Sequence, residues 1–107
     1  MASSRSYLDF ILGQLSDLEG VRFRAMMGEF ILYYQDKVIG GIYDDRLLVK
    51  PVQAAVSRMQ DAPSELPYEG AKPMLLVENV DDSAFLQELF AAMAMELPEP
   101  KQKKTKS

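Results

Sequence analysis

Residues 26–51 read MMGEFILYYQDKVIGGIYDDRLLVKP and contain three runs of apolar, β-branched and aromatic residues. Short polar segments separate these runs, the first at residues 35–37 and the second at residues 44–46. Apolar runs at such short spacing predict three strands joined as an antiparallel meander. The same stretch contains no nucleophile beside a base and no set of metal ligands. It therefore predicts a fold and does not by itself indicate an activity.

Helical and alternating patterns continue on both sides of this meander. Apolar residues at three- and four-residue steps predict helices at 4–18, at 52–60, and from 81–83 up to Pro98. Alternation predicts a strand at 21–26, and an apolar run predicts another at 74–78. A serine at 3 or 4 is expected to cap the first helix and Gly20 to end it. This order predicts an α+β domain with a largely antiparallel sheet of about five strands and three helices packed on it.

The composition limits the chemistry that this chain can perform. It has 107 residues, of which 48% are hydrophobic, and this is enough apolar material for one core in one domain. It has no cysteine and no histidine, which excludes disulfides and cysteine catalysis and removes the commonest general base. We find no run long enough to span a bilayer and no signal peptide. We expect a cytoplasmic protein that is not an enzyme and uses no cofactor or metal.

Charge is distributed unevenly along the chain. Residues 1–98 are expected to form the folded domain and carry eight basic against 15 acidic residues, whereas residues 99–107 carry four lysines and one glutamate. An acidic body repels a phosphate backbone on average. The basic tail is polar and is predicted to be disordered. Its lysines are the candidate nucleic-acid-binding residues, namely Lys101, Lys103, Lys104 and Lys106. The alternative is that the tail is only a solubilising terminus.

Within the acidic body, a few cations fall where the fold could gather them. Arg22 and Arg24 point to one side of the predicted strand, and Lys50 and Lys72 each precede a proline. Arginine in particular suits the recognition of carboxylate or phosphate. Together with Tyr68, in the Pro- and Gly-rich loop before the last strand, they are the predicted partner-binding residues. The alternative is that these cations pair with the surplus of acids.

Two other patterns favour a structural interpretation. Asp36, Asp44 and Asp45 fall where turns prefer aspartate, and they lack the ligand spacing of a calcium loop. Gly40-Gly41 has no phosphate-loop motif around it and lies inside a predicted strand. Adjacent glycines there predict a bulge or the close approach of another backbone or side chain.

Three segments together resemble the N-terminal domain of the TfoX/Sxy proteins: RFRAMMGEFILYY, KVIGGIYDDRLLVKP and YEGAKPMLLVENVDD. The resemblance extends in order over nearly all of residues 4–98. It implies the order α-β(3)-α-β(2)-α, similar to type III secretion chaperones. It also implies a link to natural competence, because full-length members are positive regulators that work with the cyclic-AMP receptor protein at promoters. Those members carry a second, helical domain, whereas this sequence continues into the lysine tail, and the resemblance supplies no catalytic residues.

From these observations we expect a regulatory or adaptor domain that acts through protein contacts. The expected partner is a transcription regulator such as the cyclic-AMP receptor protein, or RNA polymerase, and a homodimer is left open. One alternative is a nucleic-acid accessory protein that uses the lysine tail. The other is a small-molecule-binding domain, which requires a cavity near Gly40-Gly41 lined by Tyr33, Tyr43 and Lys72.

Overall fold

The structure is a computed structural model that describes residues 4–97. Within them, three helices and six strands follow one another along the chain. In order they are α1 (Arg5–Gln14), β1 (Val21–Met26), β2 (Glu29–Tyr34), β3 (Lys37–Ile42), β4 (Leu47–Val49), α2 (Gln53–Arg58), β5 (Ser64–Glu65), β6 (Met74–Leu76) and α3 (Ser83–Glu96). None of the three helices has the length and apolar composition that crossing a membrane requires.

The predicted α+β fold class is confirmed. The strands form one sheet in the order β1-β2-β3-β4-β6-β5, and every neighbouring pair is antiparallel. The described sheet has six strands, whereas about five were predicted. Four of them precede α2, so the order along residues 4–97 is α-β(4)-α-β(2)-α and not the α-β(3)-α-β(2)-α that the resemblance implies. The extra strand relative to our prediction is β5, whose two residues, Ser64 and Glu65, pair with β6. A strand of two residues shows no alternation of apolar and polar residues, so the sequence pattern could not reveal it.

Three two-residue turns connect the first four strands. The turn residues are Met27-Gly28, Gln35-Asp36 and Asp44-Asp45, and all six have positive φ. Such turns match the twist of the flanking strands and favour Asn, Asp and Gly. The turn interpretation of the three aspartates is therefore confirmed. Within residues 4–97, no three histidine, cysteine, aspartate or glutamate side chains are grouped so that they could hold a metal ion.

The first and last helices are capped by residues that the sequence predicted, but α1 ends earlier than predicted. The Ser4 hydroxyl accepts a hydrogen bond from the Tyr7 amide at 3.2 Å, and the Asp82 carboxylate accepts one from the Phe85 amide at 3.1 Å. These side chains satisfy amides that the first turn of a helix leaves without partners. The predicted end of the first helix at residue 18 was wrong, because α1 ends at Gln14.

Gly20 has the predicted positive φ of 93°, but it lies in the connection to β1 and not at the end of α1. There its carbonyl accepts a hydrogen bond from the Gln35 amide. The left-handed conformation expected of this glycine is therefore present, in a different structural role.

The hydrophobic core lies on one face of the sheet. The register places Leu32 beside Gly40, Gly40 beside Val49, and Val49 beside Leu75. Residues opposite one another in a ladder point to the same side, so this row marks one face. Residues of the three helices, with Leu15 directly after α1, belong to the same buried cluster: Leu8, Ile11, Leu15, Ala55, Leu86, Leu89, Phe90 and Met93. We call this side the helix-covered face and the other side the second face.

Candidate functional site

The second face carries the two arginines that the sequence analysis selected. Arg24 is opposite Ile31, and Arg22 is opposite Tyr33. Ile31 is in turn opposite Gly41, which alternates with the core residues of its strand. Arg22 and Arg24 therefore lie on the second face, at the edge formed by β1.

A groove of about 540 Å³ opens on the same face. Its walls come from β2, β3, the segment after β4 and the loop before β6. Most of the lining is apolar, including Ile31, Val38, Val52 and Met74 together with three prolines. Among residues 4–97, no aspartate or glutamate lines the groove. Its polar side chains from this range are two tyrosines and two lysines, namely Tyr43, Lys50, Tyr68 and Lys72. Three of the five predicted partner-binding residues thus line one groove.

The pairing of β4 with β6 brings the two lysines to this groove. Val49 is opposite Leu75, so the residue after β4 and the residues before β6 meet at the same end of the sheet. Lys50 directly follows β4, and Lys72 lies two residues before β6. Because prolines follow both lysines, each lysine marks the point where the chain leaves or enters the ladder. The two Lys-Pro pairs were a readable signal, but their proximity depends on a register that the sequence does not display.

Gly41 makes room for one wall of the groove. A Cβ atom at this position would lie 2.7 Å from the Phe30 carbonyl oxygen and 2.7 Å from the Tyr43 ring. Both distances are too short for a real side chain, so the Tyr43 ring lies directly over the glycine. Tyr43 is 9% exposed, and its ring centroid is 6.3 Å from that of Tyr68. Gly41 is therefore needed for the aromatic wall.

Gly40 has a different neighbour. A Cβ atom there would lie 2.0 Å from the Leu48 carbonyl oxygen. The register between β2 and β3 also shifts between Leu32 and Tyr33, next to this glycine. The predicted bulge and the predicted close approach are both confirmed at the glycine pair.

The loop at residues 61–73 is held against the sheet at its first half. β5 pairs with β6, Arg46 forms an ion pair with Glu65, and Pro67 is buried. Tyr68 follows and is 63% exposed. The anchored half therefore fixes the position of Tyr68 at the groove while leaving most of its surface open to solvent.

The cations differ in whether they have partners. Arg22 forms an ion pair with Asp36, and Lys37 donates a hydrogen bond to the Ala94 carbonyl oxygen at 2.6 Å. By contrast, the ammonium groups of Lys50 and Lys72 form no ion pair and no hydrogen bond with any residue of 4–97. Among residues 4–97, pairing with the surplus of acids therefore accounts for Arg22, and it does not account for Arg24 or for the two groove lysines.

The tyrosine that forms the wall is held in its neutral form. Burial, followed by the nearby Tyr68, Glu29 and Tyr33, raises the pKa of Tyr43 above its ordinary value of 10.0. A neutral phenol can donate a hydrogen bond, and within residues 4–97 the Tyr43 hydroxyl has no hydrogen-bond partner. The groove thus offers two ammonium groups and a phenol that all donate, which suits a ligand rich in acceptor oxygens.

The remaining candidate residues lie elsewhere. Tyr33 lines a separate hollow of about 360 Å³ with Arg22, Phe23 and Arg24. The predicted small-molecule cavity is therefore lined by Tyr43 and Lys72 but not by Tyr33. The strand order places β1 and β5 at opposite edges of the sheet. Arg22 and Arg24, on β1, are therefore separated by four strands from β5 in the 61–73 loop. The four tail lysines, Lys101, Lys103, Lys104 and Lys106, lie outside the described residues.

Comparison with known proteins agrees with the resemblance noted in the sequence. The profile of the TfoX N-terminal domain matches residues 13–95. A relative in Spirochaeta aurantia, an uncharacterised 12.7 kDa protein in the trpE 5′ region, is 34% identical over 108 aligned positions. The alignment covers 100% of this chain and 94% of the relative. The family match covers most of the chain, and the chain belongs to the TfoX N-terminal domain family.

Proposed function

We propose that this domain is a non-enzymatic regulatory adaptor that binds another protein through the second face of its sheet. The observation that carries the proposal is the groove, in which Lys50 and Lys72 have no partner among the described residues and no acid lines the walls. Cations left without partners in a chain of net charge −4 are available to a ligand. Exposed aromatic and apolar surface beside them is typical of protein interfaces.

The proposed partner is a cytoplasmic transcription regulator or RNA polymerase. Support comes from the family, whose full-length members are expected to act with the cyclic-AMP receptor protein in natural competence. The charge of the body supports a protein partner over direct DNA binding, because its acids outnumber its bases. The domain therefore contributes to promoter control by contacting a protein that is itself bound to DNA.

Affinity capture from the native host tests this proposal. The tagged chain is compared with two charge-reversed variants of equal net charge, Lys50→Glu/Lys72→Glu and Arg22→Glu/Arg24→Glu. We expect the wild-type chain to recover a regulator or polymerase subunit, and the lysine variant to lose most of it. The arginine variant reports whether the β1 edge belongs to the same interface.

Removal of residues 101–107 separates the adaptor from the nucleic-acid alternative. The adaptor proposal requires the shortened chain to capture the same protein at low and moderate salt. Recovery of nucleic acid alone, by the intact chain alone and at low salt, would contradict it and assign binding to the tail.

A small-molecule-binding domain is the second candidate, and the size of the groove favours it. A volume of about 540 Å³ falls within the range of small-molecule pockets. Native mass spectrometry of the chain purified from its host distinguishes the two candidates. A bound molecule of constant mass that is absent from the Lys50→Glu/Lys72→Glu variant would favour the small-molecule candidate.

A further inference from the structure

We infer that the groove binds a short segment of a partner protein in which an aspartate or glutamate side chain lies among apolar residues. This inference rests on the proposed adaptor function and specifies the chemistry of what the groove accepts. Its first support is charge complementarity. Lys50, Lys72 and the Tyr43 hydroxyl can all donate hydrogen bonds, and no carboxylate of residues 4–97 lines the groove.

The choice between carboxylate and phosphate follows from the kind of cation. Phosphate and planar bidentate acceptors favour the fork of arginine, whereas the lysine ammonium is a compact point charge. The arginines of the second face lie at the β1 edge, and neither of them lines this groove. The floor is apolar, with Ile31, Val38 and Met74, and would bury the side chains that flank a carboxylate in a peptide.

The shape of the groove favours an internal acidic residue over a chain end. Lys72 and Tyr68 are exposed, so the groove is open at the loop and a chain can continue past it. The groove also lies on a face of the sheet and not at its edge, so the segment is recognised through its side chains and not by strand addition.

The C-terminal tail of this chain does not fit the site. Residues 99–107 carry four lysines and one glutamate, and like charges would repel them from Lys50 and Lys72. This repulsion disfavours the tail as the occupant, and the occupant that we infer is a segment of a partner protein.

Selection from matched peptide libraries tests this inference. Both libraries have blocked ends and randomised apolar positions, and they differ at one fixed central residue, which is Glu in the first and Gln in the second. A third library has the central Gln and a free C-terminal carboxylate. We expect the full chain to enrich the Glu library about tenfold over the Gln library, as two partly exposed ion pairs would give.

Two variants locate the binding. Lys50→Gln/Lys72→Gln should abolish the preference for Glu, whereas Arg22→Gln/Arg24→Gln should retain it, and amide NMR shifts from a selected peptide should fall on groove residues. Equal enrichment of the Glu and Gln libraries would overturn the inference, and so would enrichment of the free-carboxylate library alone. If host capture by the second face succeeds while Glu and Gln are equally enriched, the adaptor function stands and only the acidic segment is refuted.

Discussion

The two faces of the sheet are built from alternate residues of the same strands, yet they are covered in different ways. On the helix-covered face, Val49 and Leu32 are 0% exposed beneath the helices. On the second face, a loop covers only part of the sheet and leaves a groove that contains Lys50 and Lys72. At the end of β4 the change takes one residue, from buried Val49 to half-buried Lys50, which directly follows the strand. The helix-covered face therefore stabilises the fold through buried apolar side chains, whereas the second face carries polar groups that a ligand can contact.

The largest loss of stability should come from removing a buried side chain that packs against the helix-covered face. Phe90 is 0% exposed, so we expect Phe90→Ala to lower the free energy of unfolding by about 3–5 kcal/mol. Phe10→Ala is the matched control, because Phe10 is 43% exposed and its loss should cost about 1 kcal/mol or less. Urea denaturation measures both. Equal losses would show that the core does not lie where the structure places it.

An intermediate loss of stability is expected from substitution at the glycine pair, Gly40-Gly41. Gly40→Ala would force a Cβ atom to within 2.0 Å of the Leu48 carbonyl oxygen, so we expect a loss of about 1–3 kcal/mol. Gly13→Ala is the control, since Gly13 lies in α1 with nothing within 4 Å of a new Cβ atom. That variant should instead gain about 0.5–1 kcal/mol from helix propensity. A neutral Gly40→Ala would contradict the close approach of β3 and β4.

A smaller, pH-dependent effect should come from the wall of the groove. The folded state raises the pKa of Tyr43 above 10.0, chiefly through burial. The contribution of neutral Tyr43 to the free energy of unfolding is therefore fully present below pH 10 and is lost as the pH rises through the pKa of the folded state. Relative to Tyr43→Phe, the wild-type chain should lose stability more steeply above pH 10, as measured by denaturation midpoints across that range. If the denaturation midpoints of the two proteins changed with pH in parallel, the Tyr43 hydroxyl would be exposed to solvent and its pKa would not be raised by burial.

The smallest effect on stability is expected at the groove lysines. Lys50→Gln/Lys72→Gln should change the free energy of unfolding by less than about 0.5 kcal/mol, because neither ammonium has a partner among residues 4–97. The same variant should lose the preference for acidic peptides. Denaturation measured beside binding would therefore separate the two roles. A loss of stability comparable to that of Phe90→Ala would show that the lysines serve the fold.

Much of the fold follows from local sequence, and the groove does not. Asp44-Asp45 and Gly28 have the turn chemistry that their positions require, and Ser4 and Asp82 cap their helices through their own side chains. Each of these features depends on residues only a few positions apart. They could therefore be predicted from the pattern of the chain.

The groove depends on contacts between residues far apart in the sequence. Lys50 and Lys72 meet because β4 pairs with β6, and Tyr68 reaches Tyr43 because the two-residue strand β5 holds its loop. The residue types could be selected from the sequence, since each lysine precedes a proline in an acidic chain. Their assembly into one cavity without acids could not, because register is a property of the folded sheet.

Site-specific cross-linking of the purified, labelled chain in an extract of the native host tests most directly whether the second face is the binding face. The chain has no cysteine, so a photoreactive probe can be attached at one introduced site. We would compare Tyr68→Cys at the groove with Met95→Cys on α3, two positions that are 63% and 88% exposed. We predict an adduct with a transcription regulator or polymerase subunit from the Tyr68 site and none from the Met95 site. The same adduct from the Met95 site alone would contradict the assignment of binding to the second face.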